Sequence, residues 1–104
     1  MKVIIFDTKL EKFVSSLEES TVAKILRTID LLEMFGTSLG PPHSKKIKRN
    51  LYELRIRGKQ EVRIFYTQNR GAVVLLHGFI KKSQRIPDKE IKMALQKLDM
   101  LVIK

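Results

Sequence analysis

The sequence predicts an α+β domain in which an antiparallel sheet carries an N-terminal helical hairpin and a C-terminal helix. Two observations support this fold class. Apolar residues recur at helical intervals near both ends of the chain, and they alternate with charged residues at strand intervals in its middle. A length of 104 residues suits one domain, and we expect residues 1–104 to form it.

The N-terminal third of the sequence predicts one strand and two helices. Residues 3–6 form a short β-branched run that is typical of a strand. Thr8 is expected to cap the first helix, since a glutamate follows it at the spacing of a capping box. The second helix is expected to begin at Ser20 or Thr21 and to end at Gly36, because glycine commonly ends helices. The two helices are close in sequence, which predicts a hairpin.

The rest of the chain predicts a loop, a three-stranded meander and a last helix. Residues 37–50 combine a Gly-Pro-Pro turn with a basic run and are expected to form a surface loop. Residues 51–57 and 61–67 alternate apolar and charged side chains, as half-buried strands do, and Ala72–Ile80 reads as the most enclosed strand. A proline opens the helix expected over residues 88–100. We expect the helices to cover one face of the sheet and the charges to occupy the other.

Charge is the most informative feature of the composition. The chain has 21 Lys and Arg residues against 11 Asp and Glu residues, which gives a formal net charge of +10. An excess of this size destabilises a compact chain by self-repulsion and is typical of proteins that bind polyanions, above all nucleic acids. The alternative is a basic surface kept for solubility, although acidic residues serve solubility better.

The composition also narrows the chemistry and the compartment. The sequence has no cysteine, which removes disulfides, thiolate metal ligands and cysteine nucleophiles. The histidines and carboxylates show no ligand spacing such as HExxH, so no metal site is expected. No apolar run is long enough for a signal peptide or a membrane span, and we expect a cytoplasmic protein without membrane contact.

Basic residues of the meander are expected to converge on one surface. Arg55 and Arg57 lie two apart on one strand, and Arg63 on the next strand shares its face with Phe65. Guanidinium groups bind phosphates and aromatic rings stack on bases, so this set suits RNA, although a solvated sheet face is the alternative. The candidate RNA-binding residues are Arg57, Lys45, Lys46, Lys48, Phe65 and Arg85.

Four segments of the sequence resemble one protein family. They are LYELR at residues 51–55, VRIFY at 62–66, VLLHGFIKK at 74–82, and a proline, a Glu-Ile pair and an alanine within 87–94. In this order they resemble the HigB-like, phage-associated branch of the RelE toxin superfamily. The resemblance implies a RelE-like fold and a toxin that cuts mRNA, often on the ribosome, without a metal or cofactor. It also implies an antitoxin partner, commonly a HigA-like helix-turn-helix protein through which the toxin meets operator DNA.

The resemblance also implies roles for single residues. Arg63 matches the family arginine that holds the scissile phosphate, and Arg55 matches the arginine of the ELR segment. Lys82, with Lys81, lies where relatives place a basic residue that neutralises the leaving oxygen. The implied reaction is attack of a ribose 2′-hydroxyl on the adjacent phosphate, and cations stabilise the extra negative charge.

The group that moves the proton stays open. Glu53 shares a face with the ELR arginine and is either the base or a structural ion-pair partner. Histidine titrates near neutrality, which makes His77 an alternative, but a single histidine in an apolar strand is typical of a core residue. Tyr66 has the parity of packing residues, and relatives carry a tyrosine where this sequence has Pro87 and Asp88.

Two other function classes fit the charge. One is a non-catalytic basic module that binds nucleic acid, and the other is a structural subunit that pairs with an acidic partner. Growth arrest on expression distinguishes a nuclease from a binding module. The structural subunit predicts that Arg63→Ala leaves partner binding intact and has no other phenotype.

Overall fold

The computed structural model describes residues 1–103, with side chains for residues 1–101. Helices at both ends and a meander between them confirm the predicted α+β class. No helix in this part of the chain combines the length and the apolar character needed to cross a membrane. In chain order the elements are β1 (Lys2–Ile5), α1 (Thr8–Ser15), α2 (Glu19–Phe35), a 3-10 turn (Gly36–Ser38), β2 (Ser44–Lys48), β3 (Leu51–Ile56), β4 (Val62–Asn69), β5 (Ala72–Ile80) and α3 (Asp88–Ile103).

A five-stranded sheet of order β1-β5-β4-β3-β2 forms the centre of the fold. The strands β2 to β5 pair antiparallel with one another. The strand β1 runs parallel to β5, which corrects the expectation of a wholly antiparallel sheet. Helices and three strands separate β1 from β5 in the chain, and parallel strands require a long crossover of this kind.

An edge strand, β2, lies inside residues 37–50, which the sequence predicted to be a loop. The loop prediction was wrong for Ser44–Lys48. This segment lacks apolar alternation because β2 pairs only with β3 and leaves most of its side chains exposed. Lysines are common on edge strands, where their charge discourages pairing with other chains.

The helices cover both faces of the sheet. α1 and α2 pack on the face that carries Leu54 and Ile64. α3 packs on the opposite face, against Phe65 and Leu76. The expectation that all helices share one face was therefore wrong for α3. The strand β5 permits this arrangement because it is apolar on both faces. A strand of this kind shows that both faces are covered, but its sequence does not indicate which helix covers which face.

Local sequence sets the ends of the first two helices. Asp7, rather than the predicted Thr8, caps α1, since its Oδ1 accepts the Leu10 N–H at 3.1 Å. α2 begins at Glu19, slightly before the predicted start. Gly36 ends α2 as predicted, and its φ of 57° lies in the left-handed region that favours glycine.

An ion pair between Asp7 and Lys97 links the start of α1 to α3. Lys97 Nζ lies 3.0 Å from Asp7 Oδ2 and donates to the Leu76 carbonyl at 2.8 Å. Partial burial acts to raise the pKa of Asp7, but hydrogen bonds from the Leu10 N–H and Lys97, with nearby positive charge, hold this pKa below its ordinary value. The charged carboxylate therefore stabilises the folded state.

Asp7→Ala is expected to lower the free energy of unfolding by about 1–2 kcal/mol, because it removes the helix cap together with the ion pair. Asp7→Asn keeps the cap and removes only the charge. Because folding lowers the pKa of Asp7, the charge stabilises the fold above pH 3.8, and this contribution is lost as the pH falls through the lower folded-state pKa.

Urea unfolding of the wild type and Asp7→Asn as a function of pH measures this contribution. The difference between their unfolding free energies should hold steady near neutral pH and vanish in acid. A difference that does not change with pH contradicts a stabilising charge on Asp7.

Candidate functional site

Arg55 on β3 and Arg63 on β4 are directly paired across the two strands. Their neighbours Leu54 and Ile64 pack in the core under α1 and α2. Successive side chains of a strand point to opposite faces, so both arginines lie on the face that α3 partly covers. The alternation of apolar and charged residues predicted this shared face correctly.

The carboxylate of Glu53 lies between the two arginines. Its Oε1 accepts a hydrogen bond from Arg55 Nε at 2.9 Å, and its Oε2 lies 3.7 Å from Arg63 Nε. The side chains of Glu53 and Arg63 are 1% and 4% exposed. Of the two roles predicted for Glu53, the geometry matches the ion-pair partner.

Arg63 keeps hydrogen-bonding capacity that the protein does not use. Its Nη1 donates to Glu61 Oε2 at 3.1 Å and, more weakly, to the Val62 carbonyl at 3.4 Å. Within the described part of the chain, Arg63 Nε and Glu53 Oε2 are buried without a hydrogen-bond partner, because 3.7 Å is too long for one. Buried polar atoms without partners are costly, and sites that retain them are candidates for ligand contact.

The two arginines line a cleft of about 380 Å³, which we call the central cleft. Its basic side chains come from β2, from the meander and from the segment that follows β5. The first turns of α3 form one wall, so this face of the sheet is not open as the sequence analysis expected. The central cleft is lined by Lys45, Glu53, Arg55, Arg63, Lys81, Gln84, Arg85, Ile86, Asp88 and Ile91.

A second cleft, of about 440 Å³, adjoins the first, and we call it the outer cleft. Arg63, Lys81 and Gln84 line both clefts. Arg57 and Lys82 line the outer cleft and are absent from the central cleft, so Lys82 does not share the central cleft with Arg55. The outer cleft is lined by Arg57, Glu61, Arg63, Lys81, Lys82, Ser83 and Gln84.

The other basic residues named from the sequence separate into two groups. Lys45 and Arg85 line the central cleft, although Arg85 is 86% exposed and lies 3.9 Å from an Asp88 oxygen. Lys46 pairs with Tyr52 and lies outside both clefts, at a depression that Lys45 also lines. Lys48 is exposed on β2 and belongs to neither cleft.

Phe65 belongs to the core, and the prediction that it stacks on bases was wrong. Its exposure is 0%, and its ring packs on Phe79 with 5.7 Å between ring centroids. Strand parity placed Phe65 on the correct face, but α3 covers that part of the face. The apolar residues that line the central cleft are Ile86 and Ile91 instead.

The alternative proton-transfer groups lie outside both clefts. His77 Nε2 is 2.7 Å from Glu90 Oε1, a contact that joins β5 to α3 and fits the structural role proposed for this histidine. Tyr66 is buried on the face under α1 and α2, and its hydroxyl bonds to Ser44. Burial, above all, and the neighbouring Tyr52 raise the pKa of Tyr66, although the hydrogen bond with Ser44 acts to lower it.

The sequence pattern did not identify four polar residues of the two clefts: Glu61, Ser83, Gln84 and Asp88. Glu61 lies two residues from Arg63, and strand parity alone identifies it as a partner. Gln84 lies in the segment between β5 and α3, where no periodicity applies. Among the described residues, no three histidine or carboxylate groups gather in a way that suits a metal ion.

A larger cavity, of about 630 Å³, lies between α2 and the end of β3. The surface that it exposes is mostly carbon, although Arg55 and other charged side chains contribute to it: Lys24, Arg27, Asp30 and Arg57. Its volume exceeds that of either cleft, but its exposed surface is mostly carbon and Arg63 does not line it, so a phosphate there would contact Arg55 without the arginine paired with it. The two basic clefts are therefore the better candidate site for a polyanion.

Glu53→Gln is expected to lower the free energy of unfolding by about 3–5 kcal/mol, because it removes the buried carboxylate that lies between the charges of Arg55 and Arg63. Glu61→Gln is the matched control. It removes another carboxylate that contacts Arg63, but Glu61 is 40% exposed, so a loss below about 1 kcal/mol is expected. Urea unfolding at neutral pH measures the free energy of unfolding of both variants. Equal losses in the two variants would contradict the conclusion that Glu53 is the main counter-charge of the buried arginine.

A comparison with protein families identifies the family of the chain. The family model described as phage-derived protein Gp49-like (DUF891) matches residues 12–99, which include every residue of both clefts. A search of curated proteins gave no significant match. The chain therefore belongs to the Gp49-like family of phage-derived proteins, a family of RelE/HigB-like toxins.

Proposed function

We propose that this chain is the toxin of a toxin–antitoxin system and acts as a metal-free endoribonuclease on mRNA. The observation that carries the proposal is the pair Arg55 and Arg63, which Glu53 holds side by side in the central cleft. Membership of the Gp49-like family supports the toxin role. The net charge of +10 supports a polyanionic substrate.

The chemistry of the central cleft suits a phosphodiester group. A guanidinium presents its N–H donors in a planar fork that matches two phosphate oxygens. Arg55 remains 25% exposed while it binds Glu53, and Arg63 lines both clefts. Lys81 adds a further positive charge from the segment after β5.

The proposed reaction is transesterification within the RNA strand. The ribose 2′ oxygen forms a bond to the adjacent phosphorus, the bond from phosphorus to the 5′ oxygen breaks, and a cyclic phosphate and a 5′-hydroxyl result. Arg55 and Arg63 stabilise the negative charge that builds on the phosphoryl oxygens. Lys81 donates a proton to the leaving 5′ oxygen, and the 2′-hydroxyl proton passes to water.

Glu53 is a positioning residue in this scheme. Its carboxylate binds Arg55 and lies beside Arg63, so its contacts are with the arginines that hold the phosphate. Without it, two like charges on paired strands would repel each other and turn away into solvent. The scheme therefore does not require Glu53 to accept a proton.

A partner antitoxin completes the proposal. Its expected form is a HigA-like helix-turn-helix protein that binds operator DNA and brings the toxin there only indirectly. The expected substrate is mRNA on the ribosome in the cytoplasm. Family membership supports the existence of an antitoxin, and the sequence resemblance supports its class.

The same clefts also suit a basic module that binds nucleic acid without cutting it. Such a module would bind nucleic acid through the same positive charges but would not cleave it. Expression of the chain without its genomic neighbour separates the two functions. A nuclease should stop translation and growth, and co-expression of the neighbouring gene should restore both, whereas a binding module should be tolerated.

Arg63→Ala is expected to lower the rate of RNA cleavage about a hundred-fold or more, because one donor to the transition state is lost. Arg55→Ala should lower the rate to a comparable extent. Because Arg55 is more exposed than Arg63, this variant is expected to fold even if the Arg63 variant does not. Arg49→Ala is the matched control, since Arg49 is exposed and lies in neither cleft. Gel assays of labelled RNA measure all three variants.

Two further arms test the type of reaction. RNA with a 2′-deoxyribose at the cleavage position should bind and stay uncut, and chelation of divalent metals should leave cleavage of normal RNA unchanged. Normal rates in both arginine variants contradict the assigned site. Failure of the wild type to cut either free RNA or ribosome-bound mRNA contradicts the enzyme itself.

A further inference from the structure

We infer that the outer cleft is a second phosphate subsite, which binds the phosphate next to the scissile one. The inference rests on the proposed function and extends it. It specifies the substrate as an RNA strand with its scissile phosphate in the central cleft and the adjacent phosphate in the outer cleft. Its basis is the shared wall of Arg63, Lys81 and Gln84. A strand that leaves the central cleft over this wall enters the outer cleft directly.

The charge of the outer cleft favours an anion. Its one carboxylate among the described residues, Glu61, accepts a hydrogen bond from Arg63 and is neutralised by it. Arg57 and Lys82 have no carboxylate within ion-pair distance in the part of the chain that the structure describes. Two positive charges therefore remain available for a ligand.

The lining of the outer cleft indicates backbone rather than base recognition. Its residues are charged or polar, and the described lining includes neither an aromatic ring nor an aliphatic side chain on which a base would stack. The central cleft differs, since Ile86 and Ile91 contribute apolar surface there. A phosphate in the outer cleft thus adds affinity and sets the register of the strand, as backbone contacts commonly do.

This assignment separates the two neighbouring lysines. Lys81 lines both clefts and can reach the leaving oxygen at the scissile phosphate. Lys82 lines only the outer cleft, so its charge acts on the adjacent phosphate instead of the leaving oxygen that the sequence resemblance implied. Arg57, which strand parity alone had suggested, joins Lys82 in this subsite.

Uncleavable deoxynucleotides test the subsite by binding alone. The ligand dTpT carries one phosphate and dTpTpT carries two, and NMR titration gives the Kd of each. For the wild type, dTpTpT should bind about ten-fold more tightly than dTpT, the effect of one added charge-assisted phosphate contact. In the double variant Arg57→Ala with Lys82→Ala, this ratio should fall to about the two-fold expected from the two registers available to the longer ligand.

The matched control is Lys46→Ala with Lys48→Ala, which removes the same amount of positive charge outside both clefts. It should keep the ten-fold ratio of the wild type. The inference is overturned if the wild type binds dTpTpT no more than about two-fold more tightly than dTpT. It is also overturned if the Arg57 and Lys82 double variant keeps the ten-fold ratio, or if the control variant loses it to the same extent. These outcomes are separate from failure of the proposed function, which appears as a wild type that does not cut RNA.

Discussion

The candidate site depends on one buried carboxylate that lies between two arginines. Arg55 and Arg63 are direct partners on neighbouring strands, a position in which like charges destabilise a sheet. Glu53 offsets this repulsion with a hydrogen bond to one arginine and a close charge contact with the other. Glu53 and Arg63 are almost fully buried, and Arg55 is hydrogen-bonded to Glu53, so the three side chains are held in place before any ligand binds. Preorganised charge of this kind is effective in catalysis.

The helix α3 turns this charged face into a pair of clefts. It is held to the sheet by packing under Ala94, by the contact of Glu90 with His77 and by the ion pair of Lys97 with Asp7. These attachments place Asp88 and Ile91 as a wall of the central cleft. A flat cationic face would meet a polyanion anywhere along its surface, whereas a walled cleft holds a phosphate at one position.

Much of this arrangement was predictable from local pattern, and the rest depends on tertiary contacts. Alternation along β3 and β4 predicted that Arg55 and Arg63 share a face, and it also identified Glu53 as a neighbour. It did not predict the burial of Phe65, because that depends on where α3 packs. The lysine-rich β2 shows no apolar alternation, so its pairing with β3, which brings Lys45 but not Lys46 to the central cleft, was not predictable.

The most direct measurement of the central claim is a crystal structure of the chain with an RNA strand blocked by 2′-O-methyl groups. The account predicts one phosphate in the central cleft, with its oxygens within hydrogen-bond distance of the guanidinium groups of Arg55 and Arg63. The carboxylate of Glu53 should stay between the two arginines. A strand bound on another surface, with no phosphate at these two residues, would contradict the account.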